Sequence, residues 1–276
     1  MIKKFQLLSM LMIILALSSC SSDNEPINLA ESATGSYLGY TNASCAYFSG
    51  MVADNQTVSL TSTELNKVNI SYQSETWGNF TINSAELTGS DGNIHLSGTG
   101  KSVMAHAGNA AKEYDCTVEG TIIGKNLELT ISCPAVMGGL KIEFKQGEIP
   151  ADIVVPGTYK GYTEAKSTYF SGMMADDQTI TITKNTDNTY KVEYTSDTWG
   201  EFLIENASAI REDGKFVVKG NGSTKMSMNG NVKDYDCSVE GIIDPEKESP
   251  TFTFSVPTVM GGLSIVFYPG DMPAQE

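Results

Sequence analysis

The chain is written twice. Gly35-Ser36-Tyr37-Leu38-Gly39-Tyr40 returns as Gly157-Thr158-Tyr159-Lys160-Gly161-Tyr162, and Tyr47-Phe48-Ser49-Gly50-Met51 as Tyr169-Phe170-Ser171-Gly172-Met173. Thr76-Trp77-Gly78 returns as Thr198-Trp199-Gly200, Tyr114-Asp115-Cys116 as Tyr235-Asp236-Cys237, and Val136-Met137-Gly138-Gly139-Leu140 as Val259-Met260-Gly261-Gly262-Leu263. The offset stays between 121 and 123 residues, so almost nothing was inserted or lost. A solenoid unit typically runs roughly 20–50 residues; this period is instead the size of a small domain. Two like domains in tandem provide an internal comparison. A residue present in only one copy is not required by the shared fold.

Both copies alternate with period two. Val58 and Leu60 alternate with Thr57, Ser59 and Thr61; Tyr190, Val192 and Tyr194 alternate with Lys191 and Glu193; Leu140, Ile142 and Phe144 alternate with Lys141 and Glu143. This is the pattern of antiparallel strands with one wet face. Turn signals at Asn66, Asp91-Gly92, Gly124-Lys125, Asp187-Asn188 and Asp213-Gly214 divide each copy into about eight or nine strands, as in a barrel or a sandwich. No helical apolar stripe of useful length follows Cys20. Gly147–Ala151 matches Gly270–Ala274 and closes domain one, which leaves residues 152–155 as the joint.

The N-terminus reads as a targeting segment. Lys3 and Lys4 precede an apolar run, Leu7–Leu17, that is too short to span a bilayer and fits a signal-peptide core. Leu17-Ser18-Ser19-Cys20 resembles the lipobox of bacterial lipoproteins. That resemblance implies cleavage before Cys20 and acylation of its thiol, with palmitate-type chains anchoring the protein to a membrane; an ordinary signal peptide with an incidental cysteine is the alternative. Each buried methylene adds about 0.8 kcal/mol to such an anchor. Ser21–Pro26 is polar and acidic and reads as a flexible tether. It also resembles the surface-export signal of Bacteroidetes lipoproteins, which implies the outer membrane and leaves its two faces open. The expected domains are a signal peptide over 1–19, a lipidated cysteine and tether over 20–33, and repeats over 34–150 and 151–276.

Charge limits the partners. With 18 Lys+Arg and 33 Asp+Glu, removal of residues 1–19 takes two lysines and leaves 16 − 33 = −17. Such a polyanion does not suit nucleic-acid phosphates, and its scattered acids serve solubility.

The motifs that fill the repeats resemble one family. Each copy opens with Gly-x-Tyr-x-Gly where lipocalins carry Gly-x-Trp on the first strand. Asp-x-Gln-Thr, Tyr-Asp-Cys-(Thr/Ser)-Val-Glu-Gly and Met-Gly-Gly-Leu-x-Ile-x-Phe are similar to the calycin-like β-barrel domains of Bacteroidetes lipoproteins. The resemblance covers both repeats and implies an all-β chain of two tandem antiparallel calycin/lipocalin-like barrels. It departs from true lipocalins at Tyr37 and Tyr159, which replace the tryptophan. Period-two alternation alone leaves a pair of β-sandwiches open.

The repeats also sort the cysteines. Cys45 aligns with Ser167 and Cys133 with Val256, so both are present in copy one and absent from copy two. Joint presence suggests a Cys45–Cys133 disulfide in an oxidising compartment. Cys116 and Cys237 are equivalent and read as buried free thiols.

No catalytic signature recurs. His95 aligns with Val217 and His106 with Met228, so no shared mechanism uses histidine, and a surface or loop position is expected for both. Asp54-Asn55 and Asp176-Asp177 lack the alternating ligands of an EF-hand loop and read as turn residues, with no metal and no cofactor expected. Glu119 and Glu240 match, but sequence does not set their distance from a second carboxylate. The recurring aromatics are the binding candidates: Tyr47, Phe48 and Trp77 in copy one, Tyr169, Phe170 and Trp199 in copy two. Their alternative role is core packing. The resulting expectation is a non-enzymatic, lipid-anchored envelope protein that binds a small apolar molecule or a glycan. A filled barrel that displays loops to a protein partner is the second reading. An open lumen favours the first, a packed lumen the second.

Overall fold

In the computed structural model, residues 27–105, 110–228, 230–247 and 250–274 are described. The expected signal peptide, Cys20, the acidic tether segment and His106 lie outside them. Repeat one contains α1 (Leu29–Ala33), β1 (Gly35–Ser44), β2 (Met51–Glu64), β3 (Lys67–Ser74), β4 (Gly78–Ser90), β5 (Asn93–Met104), β6 (Lys112–Ile123), β7 (Asn126–Cys133) and β8 (Leu140–Gln146). Repeat two contains α2 (Ala151–Val154), β9 (Gly157–Lys166), β10 (Met173–Lys184), β11 (Tyr190–Ser196), β12 (Gly200–Glu212), β13 (Lys215–Met228), β14 (Asn231–Ile243), β15 (Thr251–Val256) and β16 (Leu263–Pro269). Each set of eight antiparallel strands closes into a barrel, β8 on β1 and β16 on β9. Closure decides against the sandwich.

Alternation turns one side chain in two into the lumen, and the lumens are packed. Tyr72 and Phe80 stack at 5.5 Å in barrel one, and Tyr194 and Phe202 at 5.4 Å in barrel two. Each fully buried aliphatic or aromatic side chain contributes about 1.5–3 kcal/mol. Closure also explains the second glycine of Gly-x-Tyr-x-Gly. A Cβ on Gly39 would stand 2.1 Å from the Lys145 carbonyl oxygen on β8, and one on Gly161 1.9 Å from that of Tyr268 on β16.

One end of each barrel is plugged by a short helix. The Tyr37 hydroxyl donates to the Ala33 carbonyl (2.7 Å), and the Leu29 amide donates to Asn66 Oδ1 (2.9 Å). In barrel two the Tyr159 hydroxyl donates to the Val155 carbonyl (2.8 Å). The tyrosines at the lipocalin tryptophan position are therefore plug anchors. Leu29, Ala30 and Ala33 are buried, so residues 29–33 belong to barrel one and not to the tether expected over 20–33. Likewise the joint at 152–155 packs on barrel two, through Val155 at its end, although α2 itself buries no residue fully.

Asp54-Asn55 and Asp176-Asp177 are not turns between strands. They form a β-bulge inside β2 and β10, with Asn55 at φ 53° and Asp177 at φ 54°. The residue type was read correctly, since Asn and Asp tolerate left-handed backbone, but one extra residue in a strand meets the same need. The side of barrel one at this bulge lies against the plugged end of barrel two. Asp54 pairs there with Arg211, the only arginine in the chain, and Arg211 Nη1 also donates to the Ile149 carbonyl (3.4 Å). Asn55 Nδ2 donates to Glu246 Oε1 (2.8 Å), and Tyr40 of β1 joins the core of barrel two.

The expected Cys45–Cys133 disulfide is corrected: the two are unlinked in this structure and stand on either side of β8. Ser44 pairs with Lys141, and Cys133 with Leu140, so β8 stands between the two cysteines. Two strand spacings are about 9–10 Å, beyond the ~7 Å Cα separation that a disulfide spans. Cys116 and Cys237 are buried as expected, and unlinked in this structure.

Candidate ligand-binding mouth

The end of barrel one opposite the plug carries four hairpin loops, β1–β2, β3–β4, β5–β6 and β7–β8. Between them lies a cavity of about 860 Å³ that all four loops line. Its walls are mainly aromatic, methionine and aliphatic, with Glu75 as the one charged side chain.

Trp77 closes the floor. The Ser74 Oγ accepts from the Thr76 and Trp77 amides (3.2 Å each) and fixes the β3–β4 turn. The indole then points inward, and its Nε1–H donates to Thr41 Oγ1 on β1 (2.9 Å). Only 7 % of Trp77 is exposed. Phe48 stacks on it, with ring centroids 6.0 Å apart. Tyr47 turns away from the stack and is 81 % exposed at the rim. Copy two repeats this arrangement. Trp199 donates to Thr163 Oγ1 (3.0 Å), Phe170 stacks on Trp199 at 6.3 Å, and Tyr169 is 78 % exposed. Sequence grouped these six residues without dividing their roles. The tryptophans are anchored floor residues, the phenylalanines cover them, and the tyrosines are free.

The Met-Gly-Gly segments form the β7–β8 side of this rim and its counterpart in barrel two. Met137, Gly138 and Gly139 all have positive φ (47°, 71° and 109°), as do Met260, Gly261 and Gly262 (52°, 67° and 106°). A bulky residue in that region is strained. The strain is held by hydrogen bonds: the Gly139 and Leu140 amides donate to the Val136 carbonyl, and the Ala46 amide donates to that of Met137. Met137 thereby joins the wall of the cavity. Sequence marked the Met-Gly-Gly segment as a motif shared by both copies but not the lining role of Met137, Met51 and Met104.

Polar groups are consumed by structure. The Tyr72 hydroxyl donates to Gln56 Oε1 (2.7 Å), and Gln56 Nε2 donates to the Asp54 carbonyl (2.7 Å), which ties the bulge to the lumen wall. Burial raises the pKa of the Tyr72 and Tyr194 phenols, so both stay protonated donors. His95, Glu119 and Glu240 lie on the outer faces of their strands, exposed. Among the described residues no group of three or more His, Cys, Asp or Glu is arranged to hold a metal.

The calycin-like β-barrel domain matches this chain twice, over residues 33–146 and 155–271. The chain belongs to that family. Among solved structures it is similar to a candidate outer membrane protein of Bacteroides fragilis, at 22 % identity and a TM-score of 0.59, over 88 % of this chain and 99 % of that one. A protein of unknown function from Nostoc punctiforme aligns over 86 % of this chain and 96 % of its own at 8 % identity, with a TM-score of only 0.24. None of the curated proteins matches. The first likeness extends the shared fold across both calycin-like domains.

Proposed function

We propose that this calycin-like protein is a lipid-anchored envelope protein that captures a small apolar molecule at the mouth of barrel one. The observation that carries this reading is the apolar cavity of about 860 Å³ over the Phe48–Trp77 stack. Its volume lies in the range of small-molecule sites, about 300–1,000 Å³. The lumen is filled by Tyr72, Phe80 and Phe144, which by itself favours the partner-displaying reading, so capture in this proposal takes place over the lumen, in the mouth cavity. Few polar groups converge on the cavity, which favours an apolar compound over a glycan, although Tyr47 at the rim offers a face on which a sugar ring stacks. Acylated Cys20 supplies the membrane attachment in this reading, at the outer membrane.

The test uses Trp77 as the sole reporter, in a Trp199→Phe background. Fatty acids, haem-like compounds and oligosaccharides are titrated against its fluorescence. A saturable change with an apolar compound, weakened by Met104→Glu, is expected. A flat response to all three classes overturns capture at this mouth. The second reading then gains, in which the paired exposed tyrosines Tyr47 and Tyr169 contact a protein partner.

A further inference from the structure

We propose that Cys116 and Cys133 form a cross-strand disulfide in barrel one, closed by exchange with a small disulfide donor. Thr117 of β6 pairs with Ser132 of β7, so Cys116 and Cys133 are the next partners along the same ladder. Both side chains are buried in the core of barrel one. Directly opposed residues have Cα atoms about 4.5–5.5 Å apart, within the roughly 4.4–6.8 Å that disulfides span.

The surroundings prepare the exchange. The Cys116 thiol hydrogen-bonds to the Cys133 sulfur, which favours the thiolate on Cys133 and holds the proton on Cys116. The Ser102 hydroxyl lies 3.7 Å from the Cys133 sulfur and donates to the Tyr114 carbonyl. Leu140, the partner of Cys133 on β8, and Tyr114, two residues before Cys116, both line the mouth. The mouth is therefore the side from which a small donor approaches. The Cys133 thiolate attacks one donor sulfur, the donor S–S bond breaks, and one donor thiolate leaves. Cys116 loses its proton to that thiolate, and its sulfur attacks the mixed disulfide at Cys133, expelling the second donor thiolate. Two protein thiols are oxidised and one donor disulfide is reduced to two thiols.

Barrel two lacks the pair. Ser238 pairs with Ser255, so the residue opposite Cys237 is Val256. Thr224 occupies the position of Ser102, opposite Tyr235 as Ser102 is opposite Tyr114. Its Oγ1 is buried without a hydrogen-bond partner among the described residues. No thiol stands at the Val256 position to meet that hydroxyl, as Cys133 meets Ser102 in barrel one. The absence of a cysteine at Val256 is thus the loss of one half of a dithiol.

The test is a non-reduced peptide map of the protein made in an oxidising bacterial envelope, with free thiols alkylated before digestion. Cleavage after Lys112, Lys125 and Lys141 puts Cys116 and Cys133 on separate peptides. A linked pair lighter by two hydrogens than the sum of its parts, and abolished by reduction, is expected. Alkylation of both thiols even after incubation with oxidised glutathione overturns the proposal, as does a link from Cys133 to Cys45. Val256→Cys should add a second link, to Cys237, in barrel two. Its failure to do so in a protein with native far-UV circular dichroism would overturn the register argument, and the wild-type map decides the case if that variant does not fold.

Discussion

The ion pair between the barrels gives the sharpest quantitative expectation. The Asp54 side chain is 3 % exposed and that of Arg211 18 %, so the pair is close to fully desolvated. Asp54→Ala leaves the guanidinium in place with only the Ile149 carbonyl at 3.4 Å and the Phe216 ring at 5.6 Å. Removing one partner of a buried pair costs about 3–5 kcal/mol, and the remaining exposure of Arg211 argues for the low end, about 3 kcal/mol. With a urea m-value of about 2 kcal/mol/M, the midpoint falls by about 1.5 M. The assay follows urea unfolding by fluorescence in Trp77→Phe and Trp199→Phe backgrounds, so that each reports one barrel. In the parent chain the two transitions should coincide; in Asp54→Ala they should separate. Asp54→Asn combined with Arg211→Met should recover most of the loss, because no unpaired charge remains. Coincident transitions with a midpoint shift below about 0.5 M would refute the claim that this pair couples the barrels.

The plug and the barrel seam give two more expectations. Burial pushes the Tyr159 phenol from 10.0 up to about 12. Its folded pKa is raised, so the unfolded chain releases the proton first and stability is lost as pH climbs from 10 to 12. At 1.36 kcal/mol per unit the loss approaches about 3 kcal/mol, and an alkaline unfolding series should show it flattened in Tyr159→Phe. Gly161→Ala and Gly39→Ala each force a Cβ onto a carbonyl oxygen of the closing strand. Each should lower stability by about 1–3 kcal/mol in thermal unfolding, while Gly35→Ala, whose Cβ would meet the Tyr37 ring at an ordinary 3.6 Å, should cost less.

Much of the fold was legible because it depends on local periodicity. Strand alternation, turn residues and repeat matching gave two all-β domains, and the burial of Cys116 and Cys237 followed from their equivalence. The six aromatics were found because they recur. Their separation into floor, cover and free rim was not visible, because it depends on which residue of Tyr47-Phe48 a loop turns inward. The disulfide inference failed for an instructive reason. Presence and absence tied Cys133 to Cys45, whereas its neighbour Cys116 is retained in both copies and so gave no signal. Helices of five and four residues are too short to show an apolar stripe: α1 buries only Leu29, Ala30 and Ala33, and α2 buries no residue fully.

Taken alone, the sequence determined the number of domains, their strand content and the residues each copy must keep, because these follow from chain-local patterns and from comparing two copies. Only the tertiary structure decided closure of the sheets, the packed lumen, the open mouth, the thiol register and the Asp54–Arg211 contact. These are pairings between residues far apart in the chain. Period-two alternation says which face a side chain takes, but not which strand stands beside it.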